Sequence, residues 1–331
     1  GRDHPQRVAT LGALGGALLG GARAPQGVTL LEEYRERMEA RHGAGSSQAL
    51  EALAQLARGL DDVGREEEAR AWLDEARRHT VRSGSEGDRS VLRQQAQLEQ
   101  RALRLAGDVG DVEGEAAAAR ALTDALAQLW GLAPGQDVAA TLLGALGVAS
   151  ATSLGELRRQ DQADVLDHAL ALSGWLHDSG GKGAEDVLRS LLVSTSELYG
   201  EDHRAWAGPA YQLARVLSDP RAGDEELWMQ HTVAPDRRAE AEALLRQGLA
   251  LVERDGGLGT RQRSRHLGLL GRLLVLDGRL EEAAELIRSA YDEAQRAGSD
   301  PVTLALYRVN LGASLSIRAA WQDALEQLRP A

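Results

Sequence analysis

The sequence predicts an all-α fold, a solenoid of about seven to eight helix-turn-helix repeats, on three observations. First, 43% of the 331 residues are apolar. They are mostly Ala and Leu rather than β-branched residues, which favours helix over strand. Second, small or apolar residues recur at i, i+3, i+4 and i+7, the spacing of one stripe on a helix. Third, that stripe returns at positions led by 27, 69, 118, 184, 241, 283 and 324, so that three of the successive gaps are 42, 42 and 41 residues. A chain repeating itself at this period builds its core in one dimension, each unit against its neighbours.

The clearest stripes begin Gly64-Arg65-Glu66-Glu67-Glu68-Ala69 and Gly278-Arg279-Leu280-Glu281-Glu282-Ala283, and the segment from Asp236 to Gly248 aligns with both without gaps. Glu and Arg between the apolar positions fall on the opposite side of the helix. Weaker copies are Gly27-Leu30-Leu31-Tyr34, Ala118-Ala121-Leu122-Ala125 and Ala184-Val187-Leu188-Leu191, and the last copy is Ala324, Leu328 and Ala331, led by Trp321. A first helix precedes each of these. Its stripe reads Leu11, Leu14, Gly15, Leu18; Leu53, Leu56, Ala57, Leu60; Ala210, Leu213, Ala214, Leu217; Leu267, Leu270, Gly271, Leu274; and Leu311, Gly312, Leu315. Its second-last position is always Gly or Ala, and two helices approach closely only where a side chain is that small. Gly64 and Gly278 stand where a helix ends in a left-handed residue. Asp3 and Asp300 stand as caps just before Pro5 and Pro301, which suit a first helical turn.

The units then run as one array over 1–331: roughly 1–42, 43–84, 85–132, a degenerate 133–160, 161–200, 201–256 with an insertion at 218–235, 257–298 and an incomplete 299–331. The chain begins with Gly and ends inside a helical pattern, which reads as a piece of a longer polypeptide.

These motifs resemble the tetratricopeptide repeat family, in particular its long 42-residue, kinesin-light-chain-like variety. The quoted residues are Gly1-Arg2-Asp3-His4-Pro5 and Gly200-Glu201-Asp202-His203 before a first helix, Leu270-Gly271 within one, and Gly278-Arg279-Leu280-Glu281-Glu282-Ala283 opening a second helix. Arg204 stands where the family has Pro. The resemblance is sharp over 43–82 and 259–331 and weak over 88–160. Propeller blades and HEAT units share the period. Propellers need alternating β-branched runs that are absent here, and HEAT units are the harder alternative to set aside. The resemblance implies a right-handed α-α superhelix whose first helices line a concave, ligand-binding face.

Catalytic signatures are missing. No Ser sits in a Gly-x-Ser-x-Gly elbow. Gly180-Gly181-Lys182-Gly183 lacks the first Gly and the Ser or Thr of a phosphate loop and follows a helical pattern, so it reads as an inter-helix turn. The eight His form no close pair on one helical face, and there is no Cys; no metal and no cofactor are implied. The acidic run Glu66-Glu67-Glu68 opposes a helix dipole and faces water. Net charge is −12, which argues against nucleic acid as partner. The weakly polar stretch Val8 to Gly21 is too short to span a bilayer. The expected place is the cytoplasm.

Aligning the first helices yields candidate groove residues. With Leu53, Ala210, Leu267 and Arg308 as the fourth position, the ninth holds Arg58, Arg215, Arg272 and Ala313, and the sixth holds Gln55, Gln212, Leu269 and Asn310. Amide side chains donate to and accept from a peptide backbone, and the resemblance implies that Asn at this place grips one. Tyr211 and Arg265 would line the same surface. Arg forks match carboxylates, so the expected ligand is a protein or peptide that is acidic or carboxylate-bearing. The alternative is that these Arg residues are solvated or pair with Glu on the next helix. In the insertion, Trp228 and Met229 offer an apolar anchor for the groove, or else cover a seam between units.

The expected function is therefore a protein- or peptide-binding scaffold with an Arg-lined groove, not an enzyme, and part of a larger bacterial signalling protein. An intracellular peptide-sensing regulator is the alternative, and an all-α enzyme a remote one.

Overall fold

The computed structural model describes residues 5–19, 23–79, 86–132, 137–151, 159–219, 233–254, 256, 261–299 and 301–317. Among these residues there are α-helices and one short 3-10 turn, Arg204–Trp206, and no strand. The chain divides into two compact units, Gly1–Ala145 and Leu146–Ala331. The first holds α1 (Pro5–Leu18), α2 (Ala24–His42), α3 (Ser47–Asp62), α4 (Glu66–His79), α5 (Glu86–Val109), α6 (Val112–Leu129) and the start of α7 (Val138–Ala151). The second holds the rest of α7, then α8 (Arg159–Asp178), α9 (Ala184–Tyr199), α10 (Ala207–Leu217), α11 (Pro235–Arg254), α12 (Arg261–Leu276), α13 (Leu280–Arg296) and α14 (Pro301–Ile317).

Within the first unit α1 packs on α2, α3 on α4 and α5 on α6, and α3 lies against both α2 and α5. Within the second, α8 packs on α9, α10 on α11 and α12 on α13, and α10, α12 and α14 adjoin along their first-helix edge. Pro5 and Pro301 open α1 and α14, as expected of a residue whose missing N–H is unneeded in the first turn. The stretch 133–160 contributes α7 among the described residues.

The turn signature has a backbone cause. Gly64 and Gly278 adopt φ of 78° and 73°. The following N–H then reaches back five residues, Arg65 to the Leu60 carbonyl at 2.8 Å and Arg279 to the Leu274 carbonyl at 2.9 Å. This closes the helix end and aims the next helix back along the first. Gly180-Gly181-Lys182-Gly183 is likewise a turn between α8 and α9: the Gly181 N–H reaches the Leu176 carbonyl at 2.7 Å and Gly183 precedes α9 at φ 86°.

The Arg that follows the turn glycine ties one unit to the one before it. Arg279 donates to Glu282 three residues on and to Glu242 of the preceding second helix, at 2.8 Å. Arg65 does the same with Glu68, at 2.7 and 2.6 Å, and lies 3.7 Å from Glu32. Gly-Arg-x-x-Glu-Ala is thus a turn, a charged clip and a first buried Ala in sequence. His203 caps the 3-10 turn, its Nδ1 accepting from the Ala205 N–H at 3.2 Å, and its ring stacks on Tyr199 at 4.8 Å. That role accounts for the residue without a metal.

The predicted stripes that fall on described residues form the core; the last, from Trp321 to Ala331, lies outside them. Leu56, Ala57, Leu60, Ala69, Leu73 and Ala76 are buried together with Val28, Leu31 and Leu50. Leu270, Leu274, Ala283 and Ile287 are buried in the second unit. The small position works as expected: a Cβ on Gly271 would stand 2.5 Å from the Ile287 side chain and 3.2 Å from the Ala283 carbonyl. One stripe residue departs. Leu14 is largely exposed, on α1, which packs on α2 and α3. Among the described residues no helix is long and apolar enough to cross a membrane.

Candidate peptide-binding face

In the second unit each first helix is locked to the next by specific polar or aromatic contacts. Between α8 and α10, Arg215 forms an ion pair with Asp178 and donates to Gln212 Oε1 at 2.8 Å. His177 faces Asp219 at 3.4 Å. Gly174 leaves room for the Gln212 amide, 3.2 Å from where its Cβ would be. Between α10 and α12, the Tyr211 ring lies tilted on His266, centroids 5.2 Å apart. Between α12 and α14, the Tyr307 hydroxyl donates to the Ser264 carbonyl at 3.1 Å, and Gly268 makes way for its ring.

The α12–α14 edge holds a pocket of about 200 Å3. Leu269, Leu273, Val275, Leu276 and Ile287 form most of its wall, with Ala313 and Ser218, and Arg272 and Asn310 supply its polar edge. Arg272 is exposed and Asn310 half-buried. Neither carries a hydrogen bond or ion pair among the described residues, and no carboxylate lines the pocket. Arg265, two helical turns before Arg272 on the same face, is exposed and likewise has no ion pair. It lies close enough to Tyr307, as Tyr211 does, to influence that phenol electrostatically.

The aligned positions therefore separate. Arg272 and Asn310 meet at one pocket. Gln212 and Arg215 meet each other, but the Arg215 charge is already answered by Asp178, a residue 37 positions earlier. Of the candidates in the first unit, Gln55 is half-buried and Arg58 exposed on α3. Trp228 and Met229 lie outside the described residues. Sequence reasoning did not find the apolar pocket wall, although Leu276 following Leu273 just before the Asp277-Gly278 turn was a usable signal. Nor did it find Gln95 on α5, which is buried with its Oε1 lacking a partner.

His266 is the buried titratable group behind this face. Its ring nitrogens face the Gln262 and Ala207 carbonyls at 2.9 and 3.2 Å, and Gly248 of α11 lies against the ring. Burial pushes its pKa below the ordinary 6.5, opposed by the two carbonyls. The folded protein thus binds this proton more weakly than the unfolded chain, so the stabilisation is complete above about pH 6.5 and is lost as pH falls toward the folded value. Between those two values the slope approaches about 1.4 kcal/mol per pH unit. Denaturant titrations from about pH 7 to 5 are expected to show this loss in the wild type and a flatter profile in His266→Gln; parallel profiles would contradict it.

No protein-family model matches the chain, and no curated protein matches it. Solved structures similar to it include BtubC (BKLC) from P. vanneervenii, 18% identical over 72% of this chain and 88% of that one, TM-score 0.46. A putative kinesin light chain of Podosopora anserina with nearly identical TPR-like repeats is 16% identical over 72% of this chain and 92% of that one, TM-score 0.42. A circular tandem repeat protein is 16% identical over 97% of this chain and 81% of that one, TM-score 0.29. The helix pairs, their glycine turns and their pair-on-pair packing define the class: an all-α array of stacked helix-turn-helix repeats.

Proposed function

We propose that the first-helix face of the second unit binds a carboxylate-bearing segment of a partner protein and performs no chemistry on it. The observation that carries this reading is the contrast among arginines. In a chain of net charge −12, Arg189, Arg237, Arg246, Arg263, Arg279 and Arg296 are all ion-paired. Arg265 and Arg272 have no ion pair among the described residues, as is also true of Arg204, Arg261 and Arg288, but of these five Arg272 is the one that lines an apolar pocket, beside a half-buried amide. Guanidinium forks kept free of internal carboxylates are available for external ones. Arg215, held by Asp178, positions Gln212 in this scheme rather than binding ligand itself. Gln55 and Arg58 form the corresponding face of α3 in the first unit.

The test is capture of immobilised acidic dodecapeptides by the 331-residue chain and by Arg265→Glu/Arg272→Glu. Each charge-assisted contact is lost and replaced by repulsion, so the expected cost is about 2 kcal/mol, roughly a 30-fold loss of affinity, with the helical spectrum unchanged. Equal capture by the two proteins would dismiss the face as a binding site.

A further inference from the structure

We infer that the ligand presents two acidic side chains separated by two residues, on an extended backbone of three residues per turn, with an aliphatic residue beside one of them. This deepens the reading above and rests on it.

The spacing comes from α12. Arg265 and Arg272 are seven residues apart, a rise of about 10.5 Å, and lie within about 20° of each other around the helix axis. Both are exposed and have no hydrogen bond or ion pair among the described residues, so they act as two charges on one edge. A ligand must place two carboxylates on one of its own edges at that separation. In a β-strand, side chains on the same edge recur every two residues, about 6.8 Å apart, so the same-side choices are about 6.8 and 13.5 Å. Both miss the rise of about 10.5 Å by about 3 Å or more. In the polyproline conformation side chains return to one edge every three residues, at about 9.3 Å. The flexible Arg stems absorb the remaining difference.

The pocket supplies the third element. It runs past Arg272 in both directions along α12, from Leu269 on the Arg265 side to Leu273 and Leu276 toward the C-terminal end, with Ile287 and Ala313 also in its wall and no carboxylate among its lining residues. An aliphatic side chain next to the acid held by Arg272, on the side away from Arg265, enters it. The Asn310 amide, free of internal hydrogen bonds among the described residues, sits at the pocket edge to pair with the ligand backbone there. At the Arg265 end the Tyr211 hydroxyl, also without an internal partner, supports the second acid.

The probes are fluorescein-labelled peptides in a Gly-Ser background: Leu-Glu-Pro-Pro-Glu and Glu-Pro-Pro-Glu-Leu, against Leu-Glu-Pro-Glu and Leu-Glu-Pro-Pro-Pro-Glu. The prolines hold the extended conformation and prevent a helix. Fluorescence polarisation with the 331-residue chain is expected to show one of the first two binding about tenfold tighter than either of the others. In Arg265→Gln that preference disappears, while Arg272→Gln weakens all four. Equal affinities for every spacing, or a preference that survives Arg265→Gln, overturns the inference. If all four bind alike and Arg272→Gln still weakens them, the acidic-ligand reading stands and only the spacing fails. If none binds, both fail. Tighter binding of a proline-free helical peptide with acids seven apart also overturns the extended conformation.

Discussion

Replacing Gly271 by leucine is expected to destabilise the second unit by about 3 kcal/mol, because the added side chain is driven into the backbone of the paired helix. A Cβ alone would stand 2.5 Å from the Ile287 side chain and 3.2 Å from the Ala283 carbonyl. Ile287 is fully buried between α12, α13 and α14, in contact with Leu311 and Leu315, and the Ala283 carbonyl belongs to the backbone of α13. The carbonyl does not yield without separating the two helices of the pair. Separation would also open the contacts of Leu267 with Ala290 and Ala294. The control is Gly16→Ala in α1, where a Cβ meets nothing within 4 Å. There the helix propensity of Ala should be neutral or stabilise by up to about 1 kcal/mol. Urea unfolding of both variants makes the comparison. A Gly271→Leu protein as stable as the wild type would show that the small residue is not what sets the α12–α13 distance.

Truncating Glu293 should cost about 3 kcal/mol, the lower end of what breaking a buried ion pair costs. Its side chain is 2% exposed and accepts from Arg263 and, at 2.7 Å, from Arg296. Arg263 is itself 16% exposed and bridges to Glu253 at 2.8 Å. In Glu293→Ala, Arg296 returns to water at little cost, being 57% exposed. Arg263 does not, because it stays among packed helices with the buried Glu293 carboxylate gone. Adding Arg263→Leu to Glu293→Ala should therefore restore part of the loss, since removing both charges is less costly than stranding one. A double variant less stable than the single one would count against this account.

The helix pairs at 43–79 and 261–296 were legible because three local signals agree there: apolar period, glycine turn and the Arg and Glu of the clip. The resemblance weakens in α5, where Gln94, Gln95, Glu99 and Gln100 are buried on the same helix as Val91, Ala96, Leu98 and Leu103. A pattern built on apolar spacing does not register a face that packs through amides. Even in the sharp repeats the cross-unit half of the clip was out of reach. Arg279 and Glu282 are visible as i and i+3, but Glu242 is 37 residues away.

Sequence alone determined the class of fold and which face of each first helix turns away from its own pair, because both follow from local periodicities of 3.6 and about 42 residues. It placed Arg215 and Arg272 at one repeat position and could not tell them apart. The tertiary structure separated them. A helix period says which way a side chain points but not which group arrives opposite it from a distant segment. For Arg215 that group is the Asp178 carboxylate; for Arg272 it is an apolar pocket with the Asn310 amide at its edge.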